Sequence, residues 1–118
     1  MSLLNLMRPR FPGVVLHVPR LHVGGMALWP LILTRGRRPS ARLLNHERIH
    51  LRQEWELGVG PFYVWYFAEY AYHRARGLRH DAAYRAISFE REAYAHEADF
   101  TYLHRRPLWA FRRYFGKR

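Results

Sequence analysis

The sequence has no cysteine. Disulfides, thiolate metal ligands and a cysteine nucleophile are therefore excluded, and any metal must be held by His, Asp or Glu. Lysine is nearly absent too, since the 20 basic residues are nineteen arginines and Lys117. Acidic residues number only 9, which leaves a net charge of +11. With so few carboxylates, any that falls on an apolar face is informative, because its burial is costly unless it is paired or metal-bound. The arginines are scattered along the chain without an RNA- or DNA-binding signature. Nucleic-acid binding, whose affinity would fall steeply with salt, is not the expected role. Peripheral contact with an anionic membrane stays open.

Long apolar runs are also missing. Met1 to Met7 offers no useful hydrophobic region before Arg8-Pro9-Arg10, so no cleaved signal peptide is expected. The most apolar window, Leu57 to Tyr72, contains Glu69 and falls short of the ~20 residues of a membrane span. The expectation is a cytoplasmic protein. Its 118 residues suit one domain, 1–118, and 49% apolar content with 16% aromatic suffices for a core.

What is present divides into short strands and then helices, an α+β pattern. Residues 1–13, punctuated by Pro9, Pro12 and Gly13, read as an irregular lead-in. Residues 14–35 hold two β-rich runs, Val14 to Val18 and Met26 to Thr34. Pro30 inside the second marks an edge or bulged strand of a hairpin or small sheet. Three to four packed helices follow. Ser40 caps a helix over 41–57 that stops at Gly58, with Gly60 and Pro61 reinforcing the stop. An aromatic helix over 62–76 packs back on it, its rings read as core. Asp81 caps a long helix over 82–104, and a last amphipathic piece covers 108–115.

The 41–57 helix carries His46-Glu47-x-x-His50. Four helical residues advance about 400°, so both imidazoles leave one face on successive turns and can take two corners of a zinc tetrahedron. Glu47 sits about 100° away, where it can serve as a general base without being a ligand. Arg48, Arg52 and Glu56 fall on the opposite, solvated stripe, with Arg52 and Glu56 an i,i+4 pair. No glycine follows His50 to bend the chain, so Glu56 is rejected as a third ligand. On the 82–104 helix, Glu90 and Glu97 fall inside the apolar arc, and Glu92 and Asp99 fall outside it. Glu54, Glu97, Glu69 and Asn45 are possible acceptors for the outer ring nitrogens of the histidines, and Glu97 is equally an alternative ligand. Tyr94, His96 and His73 are candidates for contacting the substrate or an oxyanion. His17, His22, His80 and His104 have no ligand spacing.

The pair of segments His46-Glu47-Arg48-Ile49-His50 and Glu90-Arg91-Glu92-Ala93-Tyr94 resembles the gluzincin branch of zinc metallopeptidases. Over about residues 26–100, the order of strands then helices resembles the minigluzincins, which are stand-alone catalytic cores. Such families often carry Asp or Asn where this chain has Tyr94. The resemblance implies one Zn2+ on His46, His50 and Glu90. It also implies Glu47 as the base and acid of hydrolysis, and a peptide or protein as substrate.

Overall fold

The computed structural model describes residues 13–115, so the predicted lead-in lies almost wholly outside the described residues. The architecture is α+β. Three strands, β1 (Val14–His17), β2 (Gly25–Leu28) and β3 (Leu31–Thr34), form a sheet in the order β1-β3-β2. β3 runs parallel to β1 and antiparallel to β2. The sequence suggested one strand over Met26 to Thr34, but this run is two strands. Pro30 has no N–H to give a ladder, and it sits in the tight turn between them, after a cis Trp29–Pro30 bond. β3 is therefore central, with Ile32 and Thr34 buried, whereas β1 is an exposed edge.

Helix α1 (Ala41–Leu57) lies against the sheet. Ser40 caps it, its hydroxyl accepting the Leu43 N–H at 3.0 Å. Gly58 closes it at φ +90°, its N–H donating to the Glu54 carbonyl at 2.6 Å. Helix α2 (Val59–Ala75) begins at the next residue. Pro61 is thus no second stop: it occupies the first turn, where a missing N–H costs nothing. Because Gly58 alone makes the corner at a φ that disfavours L side chains, Gly58→Ala is expected to cost about 1–2 kcal/mol. A fall of several degrees in Tm on thermal melting checks this.

The long helix expected over 82–104 is broken in three: α3 (His80–Ala86), α4 (Ser88–His96) and α5 (Tyr102–Arg105). Ile87, extended at φ −59° and ψ 132°, makes the first break. The Glu69 carboxylate on α2 accepts the Ser88 N–H at 2.8 Å and its hydroxyl at 2.6 Å. An anion thereby satisfies the start of α4. Asp81 is not the cap of α3; it lies in the first turn, after Arg79. The last described element is a single 3-10 turn, Ala110–Tyr114, that buries Phe111.

Three core clusters result. Ala27, Ile32 and Leu51 join the sheet to α1. Ile49, Ala93 and Tyr102 join α1 to α4 and α5. Phe62, Ile87, Phe89 and Phe111 fill the space between α2, α4 and the final turn. The aromatic residues of α2 are not all core, since only Phe62 is fully buried. The solvated stripe expected on α1 is also corrected. Arg52 is buried, and Glu56 gives its carboxylate to Arg106 from the distant end of the chain.

Candidate metal centre

Helix α1 delivers His46 and His50 from successive turns, with ring centroids 4.8 Å apart and Nε2 atoms at 3.2 Å. Helix α4, set in place by its Ser88–Glu69 start, brings Glu90 against them. Glu90 Oε1 lies 3.0 Å from His46 Nε2 and 3.2 Å from His50 Nε2. All three residues are buried, and together they form a group that could hold a metal ion. Metal–ligand bonds of about 2.0–2.1 Å in a tetrahedron require donor atoms about 3.3 Å apart. The observed triangle of 3.0, 3.2 and 3.2 Å fits that with little adjustment.

The electrostatics suit a cation. Burial opposes charge on the His50 imidazolium, but the Glu90 and Glu47 carboxylates outweigh it and hold its pKa up at about 10. Burial likewise opposes charge on Glu90, yet the two imidazoles keep it ionised well below the usual carboxylate range. A divalent cation would replace the proton that this cluster shares.

Each donor is also held from behind. Glu97 Oε1 meets His46 Nδ1 at 2.8 Å, while its other oxygen pairs with Arg42 Nε at 2.6 Å. Asn45 fixes the turn that presents Glu97 by donating to the Glu97 carbonyl at 2.8 Å. Glu97 thus stands behind His46, and the corner beside both Nε2 atoms belongs to Glu90. Behind His50 the acceptor is not Glu54 but Gln53, whose Oε1 lies 2.7 Å from Nδ1. Gln53 in turn donates to Glu92 Oε1 at 2.9 Å. The Tyr66 hydroxyl donates to Glu90 Oε2 at 2.6 Å, leaving Oε1 for the cluster.

Glu54 is engaged elsewhere, accepting the Trp29 N–H at 2.6 Å. Burial pushes its pKa up to about 7 from 4.5. Because the folded pKa exceeds the unfolded one, the folded state binds the extra proton, and stability falls as pH rises through that interval. Glu54→Gln is therefore expected to gain about 1–2 kcal/mol at about pH 8 and nothing below about pH 4.5. Urea melts at the two pH values check this.

Glu47 lies beside the donors, with its carboxyl pKa raised by burial and partly restrained by His50 and His46. It lies so close to β2 that a Cβ built on Gly25 would stand 3.0 Å from Glu47 Oε2. Two cavities open on it. One, of about 340 Å³, is walled by aromatic residues of α2 and contains Glu47, His50 and Glu90. The other, of about 270 Å³, is more polar and includes Arg42, His46, Tyr94 and Glu97. Val23, Gly25, Glu47 and Tyr84 line both.

The proposed contact residues divide. Tyr94 remains at the site, its ring 4.7 Å from that of His46 and under the Arg85 guanidinium. His96 does not reach it: it stacks on Tyr102 at 3.7 Å and bonds to the Tyr114 hydroxyl. His73 lies on another groove, bonded to Arg76. Sequence reasoning missed Tyr66 and Tyr84 because they reach the site only through the packing of α2 and α3. It also placed Glu92 outside, whereas Glu92 is fully buried against Arg106.

Comparison with protein families, curated proteins and solved structures found no match to this chain.

Proposed function

We propose that this protein is a small zinc-dependent hydrolase acting on peptide bonds in the manner of gluzincins. The observation that carries the reading is the triangle of His46, His50 and Glu90 donors with Glu47 beside it; His50, Glu90 and Glu47 open on one cavity, and His46 and Glu47 on the other. Two imidazoles and a carboxylate are a donor set suited to catalytic zinc. Zinc bound there would supply a Lewis acid and lower the pKa of a bound water toward ~7.

The chain's own groups do the rest. His46 and His50 are held as Nε2 donors by Glu97 and Gln53. Glu47, its basicity raised by burial, takes a proton from the attacking water and returns it to the leaving amine. Tyr84, which lines both cavities, and Tyr94 beside His46 are the candidate donors toward a developing oxyanion. Tyr63, Tyr66, Phe67 and Tyr70 form an apolar wall that excludes water and suits an apolar substrate side chain.

Elemental analysis of purified protein should find about one zinc per chain, and chelation should abolish cleavage of an unfolded protein substrate. Protein that carries no metal under zinc-replete conditions sinks the reading. A second reading is favoured by the depth of the cluster, whose three residues are at most 5% exposed. In it, zinc only ties α1 to α4. That reading predicts a large loss of Tm on chelation, with no hydrolysis of any peptide.

A further inference from the structure

Among the described residues, one face of α2 has no helix or strand packed over it. Its outward residues Pro61, Val64, Trp65, Ala68, Ala71 and Tyr72 are exposed and spaced at three and four, a complete helical stripe. Val64 is 72% and Tyr72 61% exposed. No residue on this stripe is charged, although a solvent-facing helix surface ordinarily carries its charges there. Phe67, 58% exposed, borders it, and Phe115 stacks on Trp65 and extends it. The only acid of α2, Glu69, is occupied by Ser88 and by the Trp65 indole N–H.

Basic groups surround this surface. Exposed Arg74 and Arg76 follow at the end of α2. The adjoining groove, of about 640 Å³, is bounded by Trp65 and Tyr72 on one side and by Arg76, Arg85 and Arg91 around it. The other face of α2 packs on the core, but an exposed apolar stripe with Trp and Tyr, bordered by arginines, suits contact with a membrane interface. The whole chain carries +11. That charge opposes docking of a second copy and favours an anionic surface. Among the described residues no helix is long and apolar enough to cross a membrane, so the helix would lie flat.

We propose that the outer face of α2 is a docking surface for an anionic lipid bilayer, with Val64, Trp65, Ala68 and Tyr72 entering the interface. Arg74 and Arg76 then reach to the headgroups. This inference is independent of the metal reading.

The test is co-sedimentation of the full chain with vesicles of phosphatidylcholine alone or with about a third phosphatidylglycerol. Partitioning is expected to be at least about tenfold greater with the anionic lipid and to weaken as salt rises. The uncharged double variant Val64→Gln/Ala68→Gln should lose about tenfold or more in partitioning while keeping its helicity. Arg74→Gln/Arg76→Gln should weaken the preference for anionic lipid by about tenfold or more, and an unchanged preference would overturn the placement of α2 at the bilayer. Equal partitioning into both vesicles, or none, overturns the proposal. So does unchanged binding of Val64→Gln/Ala68→Gln, which would mean adsorption by charge alone. A stable dimer in solution that this variant dissociates would assign the stripe to a second copy and overturn it as well.

Discussion

Exchanging Glu47 for glutamine is expected to leave zinc bound and to slow hydrolysis by about 10²–10⁴-fold, the range for removing a general base. Glutamine keeps the shape that fits beneath Gly25 but cannot take a proton. Changes at the donors should act in the opposite order, with metal lost first and activity as a consequence. Glu90→Ala removes the one carboxylate that, among the described residues, touches both Nε2 atoms. It should weaken zinc binding by on the order of 10³-fold or more, and Glu90→Gln, which preserves volume, should show a similar loss. Gln53→Ala removes only the acceptor behind His50 and is expected to cost about 10–100-fold in affinity. Zinc competition with a chromogenic chelator, read beside turnover of an unfolded protein, separates the three classes. Full turnover in Glu47→Gln would eliminate the base; undiminished zinc binding in Glu90→Ala would eliminate the site. Proton release adds a check. His50, held up at about 10 without metal, must give up its proton to a cation. Binding at about pH 8 should therefore release about one proton, seen as a dependence of the heat of binding on buffer ionisation.

These differences bear on what the chain discloses before it folds. Helix α1 was legible because its signals are local: Ser40 at one end, Gly58 at the other, and two histidines four apart between them. The apolar arc pointed to Glu90 and Glu97 together, because a carboxylate there needs a reason to be buried; the arc alone could not choose between them, and only the resemblance favoured Glu90. The break at Ile87 was not, because what satisfies Ser88 is Glu69, nineteen positions upstream. The hairpin of β2 and β3 was hidden because Pro30 can mark an edge or a turn, and only the pairing register decides between them. The outer stripe of α1 was misjudged for a related reason. A helical wheel sends charges to water by default, yet Arg52 is buried, and the Glu56 side chain is covered because Arg106 and Trp109 come back over it from far along the chain. Aromatic α2 was read as core from composition, yet half of that helix meets solvent.

Arg106 is the residue whose loss should destabilise the protein most, and nothing local in the sequence marks it. The residue is 2% exposed. Nε donates to Glu92 Oε2 at 2.5 Å, and the terminal nitrogens reach Glu56 at 2.8 and 3.1 Å. Tyr102 and Gln53 supply further donors to Glu92, at 2.6 and 2.9 Å, and the Trp109 N–H supplies one to Glu56. Arg106→Met would leave two buried carboxylates without their cation, at an expected cost of about 3–5 kcal/mol. The pH dependence has a definite sign. In the intact protein burial opposes ionisation of Glu92, but Arg106 holds its pKa below 4.5. That stability is present above 4.5 and is lost as pH falls through the folded value. In Arg106→Met the cation is gone and burial raises the folded pKa, so acidification relieves the defect. The gap between variant and parent, measured by urea melts, should be widest near neutrality and shrink toward about pH 4.5. Arg106→Met/Glu92→Gln should recover part of the loss, because the uncharged amide can accept from Gln53 through its oxygen and donate to the Tyr102 hydroxyl through its NH2. The network also reaches the metal centre through Glu92, Gln53 and His50. Arg106→Met is therefore expected to loosen zinc as well, and Arg106→Met/Glu92→Gln to restore some of that affinity. Equal stability of parent and Arg106→Met at neutral pH would show that these buried charges do not hold the fold together.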